Sequence, residues 1–431
     1  MFMTIKVIAI LGLLVIFILG TILPINIGVL GLVAAFIVGF FMYDLSLHEM
    51  IQVFPVQLFL IIVGITYLFT IIQSSGAIDL LAEAGLKWVK GQVGFIPWLM
   101  FVLSFALACV GTFGIAVVTL LAPIALRLAY KTNISQLMMS MMIIMGIQAG
   151  SFSPLNLFGA IVNGVMKTGG YEYSPALLLL NCFIYFSIVS FITFSLFGGL
   201  RLFKRDSMAL VYEAGALEAA SIESRIENQR AGFNFYKGIC LISIPILGIL
   251  SFGFGMNLGV AAIIVGLVIT LIAPHQQAGV LRRMPWRITL LVTGIVTYVG
   301  VMEKAGVMDD VAVMIENIGN PALAALALSY VSGVISSFAS TTGFLASIIP
   351  MAESVLLNPH LSTNNVIAVI SVSSSIVDLS PLSSVGAILL ANVQGIKERV
   401  FFKQLLMTTG ILIALGPGLA WLLFIVVGMP W

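Results

Sequence analysis

Four short stretches of this 431-residue sequence gather hydroxyl, glycine and proline residues inside long apolar runs, where an unbonded polar atom is costly. They are Gly111-Thr112-Phe113-Gly114, Ala149-Gly150-Ser151-Phe152-Ser153-Pro154, the run from Ser336 to Gly343 and the run from Ser373 to Pro381. Their hydroxyls are Thr112, Ser151 and Ser153 in the first half, and Ser336, Ser337, Ser340, Thr341, Thr342, Ser374, Ser375 and Ser380 in the second. A helix broken at such a place offers half-helix amides, whose positive dipole end suits an anion. It also frees carbonyls that, with hydroxyls, suit a sodium ion. A single Ser or Thr in an apolar helix equally bonds back to its own helix; clustering beside Gly and Pro favours a binding role. Asp378 is the one acidic residue set well inside an apolar run, and Ser151 holds the equivalent place 227 residues earlier. An isolated carboxylate there implies a cation or a proton as partner, or a cap for the half-helix that starts near Ser380.

The elements that position these breaks are membrane spans. The sequence is 61% hydrophobic and 8% charged with a mean hydropathy of +1.18, which no water-facing surface of a domain this size would carry. A net charge of +2 leaves no basic face for nucleic acid. Cys109, Cys182 and Cys240 have no paired spacing and read as packing residues. His48, His275 and His360 fall in short connections, which argues against a histidine relay or metal site. The run from Ile5 to Leu23 reads as a retained first span rather than a removable signal.

The second half restates the first. Asn26-Ile27-Gly28-Val29 recurs as Asn257-Leu258-Gly259-Val260, 231 positions later; Pro55, Gly64, Gly76 and Asp79 recur as Pro285, Gly294, Gly306 and Asp309, 230 later. Pro123 recurs as Pro350, and Ser153-Pro154-Leu155 with Gly159-Ala160 as Ser380-Pro381-Leu382 with Gly386-Ala387, 227 later. Register held through Pro, Gly, Asn and Asp marks a duplication. Each half divides into three spans (near 5–23, 27–43 and 56–74; near 237–253, 257–273 and 288–302), a re-entrant hairpin, an interrupted span and a last span (near 176–200 and 405–428). The hairpins are Pro97–Tyr130 and Ala322–Leu357. Five crossings per half invert the second copy. With the N-terminus outside, 16 of the 19 Lys and Arg residues fall on the cytoplasmic side, and only Lys6, Lys167 and Lys304 fall outside. The expected fold is therefore an all-α polytopic membrane protein of two inverted-topology repeats, 1–200 and 236–431, each with a re-entrant hairpin and an interrupted transmembrane helix. A charged cytoplasmic linker, 201–235, joins them, and both termini lie outside.

Gly146-Ile147-Gln148-Ala149-Gly150-Ser151-Phe152-Ser153-Pro154 leading into Ile161-Val162-Asn163-Gly164, with Leu23-Pro24-Ile25-Asn26 and Val63-Gly64-Ile65-Thr66-Tyr67-Leu68-Phe69, resembles the bacterial malonate and dicarboxylate carrier family (MatC-like). That family sits in the ion-transporter superfamily with the divalent-anion/sodium symporters. The resemblance covers most of the first half. In those symporters a Ser-Asn-Thr motif at each hairpin tip binds substrate carboxylate and borders a sodium site. Ser340-Thr341-Thr342, ten residues before Pro350, resembles the motif; Phe113-Gly114-Ile115, ten before Pro123, departs from it, and Thr112 is the hydroxyl that could substitute. The resemblance also implies a homodimer with a fixed scaffold, a moving transport domain and an elevator-like motion.

Breaks and resemblance together make Thr112, Gly114, Ser151, Ser153, Ser340, Thr341, Thr342 and Ser380 the candidate substrate contacts. Asp378, Ser375, Ser337, Gly111 and Gln148 are the candidate sodium ligands. No Lys or Arg lies in mid-span, so an anion must be held by amides, hydroxyls and a co-bound cation. The expectation is a secondary transporter in the bacterial inner membrane that brings a small organic dianion in with sodium and needs no other cofactor. The rival within carriers is proton-coupled or antiport movement of citrate, gluconate or another organic anion. An enzyme would need a nucleophile and base inside the membrane, which this sequence does not supply. A channel would need a continuous polar pore.

Overall fold

In a computed structural model of the protein, residues 9–203, 235–307, 318–338 and 341–429 are described, except positions 10, 14, 21, 22, 24, 79, 81–92 and 382 and the side chains of 252, 276, 337 and 338. No strand occurs among the described residues. After an apolar helix Leu11–Gly20 come α1 (Ile27–Tyr43), α2 (Val56–Ser74), α3 (Ile96–Cys109), α4 (Gly114–Lys131), α5 (Gln136–Ser151), α6 (Leu157–Thr168) and α7 (Pro175–Leu196). The second half holds α8 (Phe235–Gly248), α9 (Leu258–Ile272), α10 (Trp286–Lys304), α11 (Pro321–Phe338), α12 (Thr341–Met351), α13 (Thr363–Ser375), α14 (Ser384–Asn392) and α15 (Glu398–Trp421). Most of the expected linker, the start of the first span, Asp79, Asp309, Leu382 and the tip 339–340 lie outside the described residues.

Local chemistry sets the helix ends. Asn26 accepts from the Gly28 amide at 2.8 Å at the head of α1, and Asn257 accepts from the Gly259 amide at 3.0 Å at the head of α9, each satisfying one of the orphan amides of a helix start. Pro55 and Pro285 stand just ahead of α2 and α10, both at φ −78°, the angle the ring pre-sets. α3 stops at Cys109 because Gly111 turns the chain at φ +94°, and a Cβ there would run into the Phe69 ring. Among the described residues six helical segments are long and apolar enough to cross a membrane: Val56–Ser74, Gly114–Lys131, Pro175–Leu196, Trp286–Lys304, Thr363–Asn392 and Glu398–Val426. The protein is thus a multi-pass, all-helical membrane protein.

The helices form two groups. In the first, α1 packs on α10, α2 on α9, and α8 on α9. The crossings are backbone on backbone: a Cβ on Gly28 would strike the Leu290 carbonyl, on Gly64 the Gly259 carbonyl, on Gly259 the Leu60 carbonyl and on Gly294 the Gly28 carbonyl. Small residues allow this approach where lipid supplies no hydrophobic drive. Asn26 Nδ2 donates to the Arg287 carbonyl (2.9 Å), Tyr67 and Thr270 share a hydrogen bond (2.7 Å), and Tyr298 donates to the Ala9 carbonyl (2.7 Å).

In the second group α3, α4 and α7 pack on α5, and α11 and α15 on α13, while α7 meets α13, α4 meets α14 and α6 meets α12. Gln136 pairs with both backbone atoms of Gln394, donating to its carbonyl (2.5 Å) and accepting from its amide (2.9 Å). Asn364 accepts from the Ser174 amide (2.7 Å), and Asn365 donates to the Phe424 carbonyl (2.8 Å). Pro417 interrupts the α15 ladder; Tyr185 and Tyr330 donate to the nearby Gly416 and Ala414 carbonyls, each at 2.9 Å. Each of these bonds stays within one group. Between the groups Leu291 lies under Gly343, Leu58 under Gly164, and the Phe17 ring stands 6.2 Å from that of Phe344, while Glu303 of α10 comes within electrostatic reach of Tyr171 and Glu353.

Candidate functional site

The second interrupted helix carries the carboxylate. α13 ends at Ser375 and tightens into a 3-10 turn, Ile376–Leu379, before α14 restarts behind Pro381, which has no amide to continue the ladder. Ser383 holds the turn from both sides, donating to the Asp378 carbonyl (2.8 Å) and accepting from the Gly386 amide (2.9 Å). The Asp378 carboxylate thereby faces α5 and α12. Gln148 Nε2 donates to its Oδ2 at 2.5 Å and Thr341 Oγ1 to its Oδ1 at 3.1 Å. Ser336 Oγ lies 2.6 Å from the Ser374 carbonyl and 3.0 Å from Thr341 Oγ1. Each hydroxyl has one hydrogen. The shorter distance assigns that of Ser336 to Ser374, leaving that of Thr341 for the carboxylate and its lone pairs for Ser336. Polar groups from α5, α11, α12, α13 and the turn after α13 thus converge on one buried spot.

The first break is held differently. Asn156, 3% exposed, sends its amide nitrogen to the carbonyls of Ala108 (2.8 Å) and Thr112 (3.1 Å), and Ser153 donates to the Cys109 carbonyl (2.7 Å). These carbonyls lie at the C-terminal end of α3 and just beyond it. The α6 N-terminus gets no side-chain cap from Asn156, because that side chain is committed to the tip. Gly111 makes the turn, Gly114 starts α4 against Ile147, and the Thr112 hydroxyl is buried with no hydrogen-bond partner among the described residues. Sequence reading passed over Asn156; a lone Asn two residues past the Pro154 break in an apolar run was the available signal. Asn156→Ala takes the side-chain donor from the Thr112 carbonyl and leaves that of Ala108 to the Gly111 amide (2.9 Å); it should lower thermal stability by about 2 kcal/mol and slow substrate uptake. Melting and uptake of the purified variant check this.

Of the residues singled out in the sequence, Asp378, Gln148 and Thr341 meet directly. Thr342 and Ser380 are buried. Ser151 and Ser375 donate to their own helices, at the Ile147 (2.8 Å) and Ser371 (3.0 Å) carbonyls, as isolated hydroxyls in apolar helices do. Ser340 and the Ser337 side chain lie outside the described residues. Among the described residues no three His, Cys, Asp or Glu side chains gather; beside the Gln148 amide nitrogen, the atoms that do gather are the oxygens of one carboxylate, the Ser374 carbonyl and two hydroxyls, oxygen donors of the kind that suit a hard cation.

Residues 3–151, which contain the first break and Gln148, match the family model described as the dicarboxylate carrier protein MatC N-terminus. The match supports a malonate/dicarboxylate carrier family. No curated protein matches the chain. The family is one of carriers, transporters rather than enzymes, and the segment matched holds the Leu23–Asn26 and Val63–Phe69 motifs and the first six residues of Gly146–Pro154.

Proposed function

We propose that the protein is a secondary active transporter that brings a small dicarboxylate, malonate or a C4 acid, across the bacterial inner membrane together with sodium, by an elevator-type motion. The observation that carries this reading is Asp378, a carboxylate deep in a span whose partners are the neutral donors Gln148 and Thr341. A dianion cannot settle beside an uncompensated carboxylate in a low-dielectric site. A cation on Asp378 removes the repulsion and makes each solute's binding depend on the other. Half-helix starts at α4, α6 and α12 offer amides for the substrate carboxylates.

Inverted repeats are supported by reciprocal contacts. Gly64 lies against the Gly259 carbonyl and Gly294 against that of Gly28, and the shift of 230 or 231 positions turns one pair into the other. Gly159 against the Ser153 carbonyl and Gly386 against that of Ser380 repeat in the same way. Length alone would let α4 cross the membrane, so the hairpin reading leans on the α3–α4 break and the clamp of Asn156. The elevator reading leans on two groups knitted internally by hydrogen bonds and touching through apolar contacts such as Leu291 on Gly343 and Leu58 on Gly164, which can slide without stranding a hydrogen bond. The α1, α2, α9 and α10 group would be the scaffold of a homodimer and the other group the moving body.

Proteoliposomes given labelled malonate, succinate or citrate under an imposed sodium or proton gradient test the proposal. Sodium-driven accumulation of malonate or succinate is expected. Accumulation driven by a proton gradient with sodium absent would favour the proton-coupled alternative, in which Asp378 carries the proton.

A further inference from the structure

Gln148 does more than line the site. Its side chain is 2% exposed; Nε2 donates to Asp378 at 2.5 Å, while Oε1 is buried and receives no hydrogen bond among the described residues. A buried amide oxygen without a donor is an expensive arrangement for a helix that could have carried an apolar residue there. Among the described residues the amide is also the first-half group with a hydrogen bond to the carboxylate, reaching across 230 residues of sequence. An amide differs from a simple donor in that half a turn about its last bond exchanges nitrogen for oxygen with little change of volume. With nitrogen forward it complements an anion; with oxygen forward it faces Asp378 as a second acceptor, which is tolerable only with a cation or a proton between them.

We infer that the Gln148 amide stands in for the coupling cation on Asp378 in the cation-free protein, and that cation binding turns the amide so that its oxygen becomes a ligand beside the carboxylate. This rests on the sodium-coupled reading above. The Ser374 carbonyl and the Thr341 hydroxyl, already within hydrogen-bond reach of this cluster, complete an oxygen set drawn from both halves of the chain. The exchange explains the orphaned oxygen: it is a ligand held in reserve. It also keeps the empty carrier from exposing a naked carboxylate as it returns across the membrane.

The test is sodium titration of the thermal unfolding midpoint of the purified full chain, with choline chloride holding ionic strength constant. Gln148→Glu removes the donor and adds an anionic ligand, so the sodium concentration for half-maximal stabilisation should fall at least tenfold. Gln148→Lys supplies a permanent cation, so the sodium-dependent shift should vanish while the sodium-free protein stays folded. Gln148→Met keeps the volume and loses one ligand, so the half-point should rise at least threefold; it also serves if the charged variants fail to fold. A half-point equal to that of the wild type in the folded variants would overturn the inference and leave sodium coupling standing. If the wild type itself shows no sodium-dependent shift, the coupling reading fails and the inference falls with it.

Discussion

Asp378→Asn should abolish sodium-driven uptake of dicarboxylate while leaving the protein folded. The substitution is close to isosteric, and the Asn oxygen can still accept from Gln148 and Thr341, whose bonds to Asp378 measure 2.5 and 3.1 Å. What it removes is the charge. Taking one charged partner from a buried ion site costs about 3–5 kcal/mol, which corresponds to a loss of cation affinity of at least roughly 100-fold. Sodium concentrations that saturate the wild type should then leave the variant unfilled, and uptake should fall to the background of protein-free vesicles. Uptake measured beside membrane abundance and melting separates this from misfolding. Unchanged sodium dependence in a folded Asp378→Asn protein would return the residue to a structural role, as an anchor for the turn that Ser383 also holds.

The second large effect is on assembly. Gly28→Val and Gly259→Val each place a branched side chain where a Cβ alone would already collide with backbone, at the Leu290 and Leu60 carbonyls respectively. Backbone cannot swing aside as a flexible side chain can, so α1 and α10, or α2 and α9, must separate and give up their packing. Overpacking of this kind costs about 3 kcal/mol or more, a large fraction of a typical stability margin. Both variants should lose monodisperse yield and melt well below the wild type. Gly410→Ala, in α15 with nothing within 4 Å of its Cβ position, is the control and should be neutral or up to about 1 kcal/mol more stable, Ala being the better helix former. Equal tolerance of all three substitutions would mean that the crossings are not close-packed.

The breaks were legible in the sequence because Gly, Pro and hydroxyls are conspicuous inside apolar runs. α3 ends at Cys109 and α4 begins at Gly114, on either side of the Gly111–Gly114 stretch, and α13 gives way at Ser375 inside the run from Ser373 to Pro381. Helix starts at Asn26, Asn257, Pro55 and Pro285 follow from the same local chemistry. Span limits were less legible. α15 begins at Glu398 rather than near 405, because Glu398, Arg399 and Lys403 can occupy the polar end of a helix that continues into the membrane. The roles of individual hydroxyls were not legible at all. Ser151 and Ser375 bond back to their own helices, whereas Ser336 and Thr341 reach another element, and nothing in residue type distinguishes the two cases. The decisive contacts, Gln148 with Asp378 and Asn156 with the first tip, join residues 230 and 44 or more positions apart. Local pattern carries no information about which distant polar groups will meet.

Compensation of Asp378 by a cation shows itself in mutual linkage between sodium and dicarboxylate on the wild-type protein, read as the binding half-point of each in the presence and absence of the other. A cation that neutralises Asp378 for an incoming dianion requires the two affinities to rise together, and thermodynamics requires the two factors to be equal. Saturating malonate or succinate should lower the sodium half-point at least fivefold, and saturating sodium should lower the dicarboxylate half-point by the same factor. Dicarboxylate binding with the same half-point in sodium-free and sodium-saturated protein would contradict that compensation.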